Sequence, residues 1–269
     1  MIDTWGFVSL PFNGIYPLNS NFALKDTQLI YGLRPVMEAI KAGRDFERLY
    51  IQKNIEGEGI RQLRQLLANY HIHYQFVPVE KLNRLTQGNH QGVVGILSYI
   101  AYSDIEQLLP GIFEKGEIPF LVIADRITDV RNFGAIARTA ECAGVHAIVV
   151  PDQESAMINA DALKTSAGAL ARIPVCRSSN LRVTALFLRE SGVKIIAVSE
   201  KGNENYTQTD LTGPVALILG SEENGISPQL LKMADHICKI PLLGEIASLN
   251  VSVASGIVMY EVVRQRNNF

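Results

Sequence analysis

The 269-residue chain lacks most features that mark secreted, membrane or zinc-binding proteins. Its three cysteines, Cys142, Cys176 and Cys238, form no C-x-x-C pair, so neither a disulfide framework nor a zinc site is indicated. No apolar run approaches the ~20 residues of a membrane-spanning helix. No basic residue precedes Lys25, which argues against a secretory signal. We therefore expect a cytoplasmic protein that holds no metal and has no membrane partner.

Several familiar enzyme motifs are also missing. No G-x-G-x-x-G follows a predicted strand and no G-x-x-x-x-G-K-[ST] occurs, which disfavours a nucleotide-dependent oxidoreductase or a P-loop enzyme. The G-x-S-x-G motif of α/β-hydrolases is absent as well. His71 and His73 alternate along a predicted strand, but no third metal ligand is spaced to join them.

The charge is small overall but unevenly distributed. A formal net charge of −2 argues against a polycationic nucleic-acid-binding protein. Residues 28–100 nevertheless contain nine Lys or Arg and six Asp or Glu, whereas residues 101–118 contain one and four. Any RNA-facing surface is therefore expected as a patch within residues 28–100.

Composition and periodicity divide the chain into four segments. Strand and helix patterns alternate in the second segment, and Pro110 and Gly111 interrupt the acidic third one. The last segment opens with Phe120–Ala124, an apolar run typical of a strand buried on both faces of a parallel sheet. The prediction is α/β throughout: an extension over 1–27, a small α/β domain over 28–100, a linker over 101–118 and a parallel-sheet domain of about six strands over 119–269.

A helix predicted from about Ser248 to Arg266 is apolar nearly all round. Such a helix must be buried on every side, either in a large core or against a second subunit. Its first turn carries Ser248, Asn250 and Ser252. These side chains either cap the helix or bind a ligand at its N-terminus, and the pattern alone does not choose between the two.

Two loops that follow predicted strands are richer in polar residues than folding requires. In the first, Asn132 can cap the next helix, and Arg138 lies two turns in, either open to a phosphate or simply on the surface. In the second, Gly220 and Gly225 flank Glu222 in a stretch that is either a backbone cradle or a helix-capping segment. A third, glycine-rich loop spans residues 86–92 and suits base or phosphate contacts or a plain turn.

Three ordered motifs carry a family resemblance. Asn132-x-Gly134-x-x-x-Arg138, Leu-Ile-Leu-Gly220-Ser-Glu222-Glu-Asn-Gly225 and Ile240-Pro-Leu-Leu-Gly244-x-x-x-Ser248-Leu-Asn250 resemble those of the SpoU/TrmH family of RNA ribose 2′-O-methyltransferases, within the SPOUT class. The resemblance covers about 119–269. Leu29-Ile-Tyr-Gly-Leu-Arg-Pro and the later Asn-His-Gln-Gly-Val also resemble the substrate-binding domain, similar to ribosomal protein L30e, of the bacterial 23S rRNA guanosine members.

The resemblance implies a fold, a cofactor and partners. The C-terminal domain is expected to contain a deep trefoil knot that binds S-adenosylmethionine, and the protein is expected to be a homodimer with active sites at the subunit interface. The RNA substrate is expected to contact the first domain. The cofactor-binding residues implied are Ser199, Leu219, Gly220, Ile240, Gly244 and Leu249, and the RNA-binding residues are Arg34, Asn89, His90 and Gln91.

The resemblance also implies catalytic residues. Because guanidinium is a poor base, we expect Arg138 to clamp a phosphate and stabilise developing charge. The residues that would orient the ribose, the cofactor and the arginine are Asn132, Glu222, Ser248 and Asn250. The resemblance does not assign the group that accepts the proton. The expected substrate is a guanosine of 23S rRNA. The alternatives are the same reaction on tRNA and a non-catalytic RNA-binding or ribosome-assembly protein.

Overall fold

The computed structural model describes residues 28–267, and these form two α/β units joined by a short connection. The predicted extension over residues 1–27 lies outside the described residues. Within residues 28–267 no helix is long and apolar enough to cross a bilayer. The described part of the chain also contains no group of three or more His, Cys, Asp or Glu side chains that could hold a metal ion.

The first unit is a four-stranded sheet with three helices. Its strand order is β1-β4-β2-β3, antiparallel except for the β2–β3 pair. Helix α1 is amphipathic, and its Val36 and Ile40 are fully buried against the sheet. The elements are β1 Leu29–Tyr31, α1 Leu33–Lys41, β2 Phe46–Gln52, α2 Glu58–Asn69, β3 Gln75–Val77, α3 Val79–Leu85 and β4 Val93–Leu97.

The second unit is an eight-stranded sheet in which every neighbouring pair is parallel. Its strand order is β10-β12-β9-β11-β6-β7-β8-β5. The elements are β5 Tyr102–Ser103, α4 Ile105–Glu114, β6 Phe120–Ala124, α5 Val130–Cys142, β7 Ala147–Pro151, α6 Ala160–Thr165, a 3₁₀ turn Ala169–Ala171, β8 Val175–Ser178, α7 Leu181–Glu190, β9 Lys194–Val198, β10 Glu204–Asn205, β11 Val215–Leu219, α8 Pro228–Leu231, β12 His236–Lys239 and α9 Val251–Asn267.

Helices cover both faces of the larger sheet, as expected for parallel strands. Alternate residues of β6 belong to opposite cores: Val122 packs with α5 and α9, and Leu121 packs with α4 and α7. The predicted fold class, a parallel α/β domain preceded by a small α/β domain, is confirmed. The sheet has eight strands instead of about six, because β5 and β10 are only two residues long and leave no periodic signal.

Residues 101–118, predicted to be a linker, are largely part of the second unit. β5 pairs with β8, and Ile105, Leu109 and Ile112 of α4 are buried in the core that α7 shares. Helix α4 continues through Pro110. The burial of one apolar face outweighs the hydrogen bond that proline removes from the helix.

Helix α9 is buried on one side only in the single chain. Val258, Met259 and Val262 are fully buried, whereas Val253 is 53% exposed and Tyr260 is 51% exposed. Of the two expected forms of burial, the core of the single chain therefore does not supply it on every side, and burial against a second subunit stays a prediction. Within residues 28–267, one apolar face of α9 is left exposed.

A buried polar network joins the two units. The carboxylate of Glu47, on β2, accepts hydrogen bonds from Ser98 Oγ at 2.9 Å, the Tyr102 hydroxyl at 2.5 Å and Arg177 Nη2 at 3.2 Å. The Arg177 guanidinium also lies 3.6 Å from the centre of the Tyr102 ring. Burial, followed by the negative charge of Glu47, raises the pKa of Tyr102, so the hydroxyl stays protonated and donates.

Candidate active site

The carboxyl ends of four adjacent strands form the edge on which the site is built. Residue pairing aligns Ala124 of β6 with Leu219 of β11, Leu219 with Val198 of β9, and Val198 with Cys238 of β12. The segments that follow these strands therefore begin side by side. Ligands of open parallel sheets bind at such an edge.

The N-terminus of α5 presents Asn132. Asp129 is the N-cap of this helix, and its Oδ1 accepts a hydrogen bond of 2.7 Å from the Asn132 N–H. The expectation that Asn132 can cap the helix is wrong, because Asp129 already holds that position and leaves the Asn132 side chain available to another partner. Gly134 lets α6 approach closely, since a Cβ there would lie 2.8 Å from the Cβ of Thr165.

Asn250 joins the three sequence motifs. Its Nδ2 donates to Asn132 Oδ1 at 3.0 Å and to Glu222 Oε1 at 2.7 Å. Its Oδ1 accepts from the Ser252 N–H at 2.9 Å, at the start of α9. The side chain thus caps α9, as one of the two predicted roles required, and also bonds to two polar groups from other elements; ligand binding at this helix start stays a prediction. We refer to Asn132, Glu222 and Asn250 as the polar triad.

Glu222 lies on a tight turn directly after β11. Ser221 and Gly225 close the turn with two backbone hydrogen bonds of 3.2 and 2.9 Å. Gly225 has φ +62, a conformation that favours glycine. Gly220 has no room for a side chain, since a Cβ there would lie 2.2 Å from the carbonyl carbon of Gly225. The backbone of the turn that carries Glu222 is therefore closely constrained.

A cleft of about 390 Å³ opens beside the polar triad. Carboxylates of Asp129, Glu154, Glu222 and Glu223 line it, together with the guanidinium of Arg126. The surplus of negative charge disfavours a phosphate inside the cleft. It suits groups that donate hydrogen bonds or carry positive charge.

Two of the predicted catalytic residues lie outside the polar triad. Arg138 is exposed on α5, six residues beyond Asn132, so the two side chains point about 120° apart around the helix. Ser248 is exposed on the segment 241–250, every residue of which is exposed in the single chain. Neither side chain takes part in the hydrogen bonds that join Asn132, Glu222 and Asn250.

The predicted cofactor-binding residues fall into two groups. The first group lies at the ends of the adjacent strands β9, β11 and β12, and its members are Ser199, Leu219, Gly220 and Ile240. The second group, Gly244 and Leu249, lies on the exposed segment 241–250. The first group offers backbone groups and an apolar side chain at one edge, a lining that suits a neutral heterocycle such as adenine.

The predicted RNA-binding residues cluster at one end of the first unit. Gln91 Oε1 accepts a 3.1 Å hydrogen bond from the N–H of Leu33, next to Arg34. His90 Nδ1 accepts from the Gly92 N–H at 2.9 Å, so its Nε2 carries the proton and donates to Asn83 Oδ1. Arg34 and Asn89 are exposed. The other end of this unit contacts the second unit through Glu47, so the cluster lies at the far end.

Sequence reasoning assigned no role to Asp125, Arg126 or Glu154. Asp125 and Arg126 directly follow β6, and Glu154 follows β7. Their position after buried strands was a signal that could have singled them out. Arg126 and Glu154 also have φ of +56 and +57. Arginine and glutamate seldom adopt positive φ, so nothing in the sequence indicates this conformation.

Comparison with known proteins agrees with this architecture. Residues 119–260 match the model of the SpoU rRNA Methylase family, and residues 29–102 match the RNA 2′-O ribose methyltransferase substrate-binding model. The putative TrmH family tRNA/rRNA methyltransferase YacO of Bacillus subtilis is 34% identical over 88% of this chain and 96% of its own length.

Two further relatives cover nearly the whole chain. The 23S rRNA (guanosine-2′-O-)-methyltransferase RlmB of Yersinia pestis is 35% identical over 89% of this chain and 98% of its own. A crystal structure of an AdoMet-bound rRNA methyltransferase from Sinorhizobium meliloti has a TM-score of 0.57 and 26% identity, covering 89% of this chain and 87% of that one.

The fold, the strand-end site and these matches together define an RNA methyltransferase. The chain belongs to the SpoU/TrmH family of S-adenosylmethionine-dependent RNA methyltransferases, which confirms the resemblance seen in the three motifs.

Proposed function

We propose that this protein methylates a ribose 2′-hydroxyl of RNA, and that its target is a guanosine of 23S rRNA. The observation that carries the proposal is the polar triad, because Asn250 connects all three family motifs at the strand edge where ligands bind. The guanosine target is supported by the 35% identity to the Yersinia pestis RlmB.

The strand-end residues would hold the methyl donor. Leu219, Gly220, Ser199 and Ile240 would bind the adenosine part of S-adenosylmethionine, and Gly244 and Leu249 would close over it from the segment 241–250. When bound, this cofactor supplies an electrophilic methyl group on a cationic sulfur. The acidic cleft next to the polar triad is electrostatically suited to that positive charge.

The polar triad would orient the ribose. Asn132 offers its Nδ2 amide to the sugar hydroxyls, Asn250 holds Asn132 and Glu222 in place, and Glu222 is the ionisable member of the triad. Its Oε1 already accepts from Asn250, which leaves Oε2 to accept a hydrogen bond from the reacting hydroxyl. Such a bond aligns the oxygen for in-line transfer and favours loss of its proton.

Arg138 and Ser248 would act from the periphery. An exposed guanidinium can bind the phosphate next to the target nucleotide, which the acidic cleft itself would repel. Ser248 would hydrogen bond to the ribose or the cofactor once the segment 241–250 is covered. Arg138 therefore serves as a clamp and charge stabiliser, because a guanidinium is a poor base.

A second copy of the chain would complete the site. Val253 and Tyr260 on α9, and Leu243 and Ile246 on the neighbouring segment, are large apolar side chains exposed in the single chain, and a second copy would remove them from water. We propose that a homodimer covers these side chains and brings Arg138 towards a substrate, and that the chain threads as a trefoil knot near residues 240–250. We also propose a cytoplasmic location, where ribosomal RNA is modified.

The first unit would bind RNA at its far end. Arg34 and Asn89 present a charge and an amide next to the loop that Gln91 and His90 hold in place. The fixed network around Glu47 would keep this surface at a constant distance from the cleft. The same features suit tRNA, and the name of the Bacillus subtilis relative includes both substrates, so tRNA is the second candidate.

The Asn250→Ala variant tests the proposal. We expect methyl transfer to RNA to fall about 100-fold, because two groups of the polar triad lose their common partner. Binding of S-adenosylmethionine, measured by calorimetry, should weaken far less. The matched control is Asn69→Ala on the exposed end of α2, which should keep full activity. Full transfer by Asn250→Ala would contradict the proposed site.

A further inference from the structure

Asp125 and Arg126 form a brace beneath the turn that carries Glu222. Asp125 is 3% exposed, and its Oδ2 accepts a hydrogen bond of 2.6 Å from the Ser227 N–H. Arg126 Nη2 donates to the Gly225 carbonyl at 3.1 Å. The two residues therefore hold the backbone at Gly225 and Ser227, where the chain leaves the turn.

The two side chains of the brace also hold each other. Arg126 Nε donates to Asp125 Oδ1 at 3.2 Å, and Nη2 donates to Oδ2 at 3.4 Å. Asp125 is in turn fixed to the sheet, because its N–H donates to the Leu219 carbonyl at 2.8 Å. The brace thus ties the far end of the turn to the last residue of β11, where the turn begins.

The backbone of Arg126 is in an unfavourable conformation. Its φ of +56 lies in the left-handed region, which side chains other than glycine seldom adopt. Such a residue persists only where its surroundings fix it, and such residues concentrate at functional sites. Glycine would fit this backbone more easily but could not supply the contacts to Asp125 and Gly225.

Among the described residues, few other hydrogen bonds hold the turn. Two backbone bonds between Ser221 and Gly225 close it, and Asn224 N–H donates to Ser221 Oγ at 3.2 Å. Because Gly220 and Gly225 touch, a small shift at the Gly225 end moves the whole turn. The Glu222 carboxylate, which must stay 2.7 Å from Asn250 Nδ2, would move with it.

We propose that Arg126, supported by Asp125, is a positioning residue that sets the Glu222 carboxylate for methyl transfer. The proposal rests on the function proposed above, in which Glu222 orients the reacting hydroxyl. Arg126 acts through the turn and not on the RNA. Its Nε and Nη2 are occupied by protein acceptors, and its side chain is only 29% exposed.

The rival reading is that Arg126 binds a substrate phosphate, because it lines the cleft and its Nη1 is not part of the brace. A double-mutant cycle separates the two readings. If Arg126 acts only through Glu222, the loss in the double variant Arg126→Ala/Glu222→Gln should equal the loss in Glu222→Gln alone. If Arg126 binds RNA directly, the two losses should multiply.

The experiment measures transfer rate, RNA KM and amide hydrogen exchange for Arg126→Ala, Arg126→Lys, Glu222→Gln and the double variant. We expect Arg126→Ala to lower kcat about tenfold or more with little change in RNA KM, and Arg126→Lys to recover part of the loss. Exchange at the Gly225 and Ser227 amides should rise at least about tenfold in Arg126→Ala. Arg182→Ala, on the exposed surface of α7, is the matched control.

Three results have distinct meanings. Unchanged exchange at the turn would overturn the brace. If the losses of transfer rate in the two single variants multiply in the double variant, or if only the RNA KM changes, Arg126 contacts the RNA directly and the positioning role is overturned. Full activity in Glu222→Gln together with faster exchange in Arg126→Ala would refute the catalytic role of Glu222 in the proposed function, and with it the effect of Arg126 on transfer, while the brace itself would stand.

Discussion

Replacing the buried Glu47 with glutamine should destabilise the whole molecule. The carboxylate serves three donors from separate parts of the chain: Ser98, Tyr102 and Arg177. A glutamine of the same shape keeps one carbonyl oxygen and places an amide NH₂ against a donor. At least one hydrogen bond becomes a repulsive contact, and the Arg177 guanidinium loses its counterion.

The size of the effect follows from the burial of the pair. Breaking a buried ion pair from one side costs about 3–5 kcal/mol when the remaining charge is fully buried. Here the Glu47 side chain is 2% exposed, but that of Arg177 is 22% exposed and keeps its bond to the Phe46 carbonyl. We therefore expect about 2–3 kcal/mol. At about 2–4 °C per kcal/mol, the thermal midpoint should fall by about 4–12 °C.

Differential scanning calorimetry measures this directly. Glu80→Gln is the matched control, because Glu80 is exposed on α3, and its midpoint should stay within about 2 °C of the unsubstituted protein. Limited proteolysis between the two units should also become faster in Glu47→Gln. A midpoint equal to that of the control would refute the view that this network holds the units together.

Two further predictions concern ionisable side chains. Burial lowers the pKa of His146, against the opposing effect of Glu117. As the pH falls, the unfolded chain therefore takes up a proton on His146 before the folded chain does. The stability contributed by the neutral His146 is fully present above pH ~6.5 and is lost as the pH drops below that value. His146→Gln should therefore flatten the fall in thermal midpoint between pH 7.5 and 5. Burial raises the pKa of the Cys176 thiol to about 12 and that of the Cys238 thiol to about 11. A disulfide reagent should therefore react only with the exposed Cys142 in the native protein. Fast reaction of a second thiol would contradict the burial of Cys176 and Cys238.

The regular parts of the fold were predictable because burial leaves a pattern in the sequence. Strands β6 and β11 are five-residue apolar runs, and α1 repeats apolar residues at helical spacing. Helix α4 was missed because Pro110 is normally a helix breaker, and only tertiary packing overrides it. The exposed face of α9 could not be foreseen either, since a pattern that is apolar all round does not say whether one chain or two bury it.

The site was predictable at the level of motifs and not of contacts. Asn132, Glu222 and Asn250 were singled out as polar residues after strands or at a helix start, but their convergence depends on strand order. Arg138 was expected to act with them, and in the single chain it is exposed on α5 about 120° around the helix from Asn132. Glu47 and Arg177 are 130 residues apart, and no local pattern pairs such residues.

The measurement that tests the central claim most directly is transfer of labelled methyl from S-adenosylmethionine to unmodified rRNA and tRNA pools. Arg138→Ala serves as the control, and calorimetry should show that it still binds the cofactor. We predict label on a ribose of 23S rRNA that disappears in Arg138→Ala. Label on tRNA alone would move the assignment to the second candidate, and no label on either RNA from a protein that binds the cofactor would contradict the proposed function.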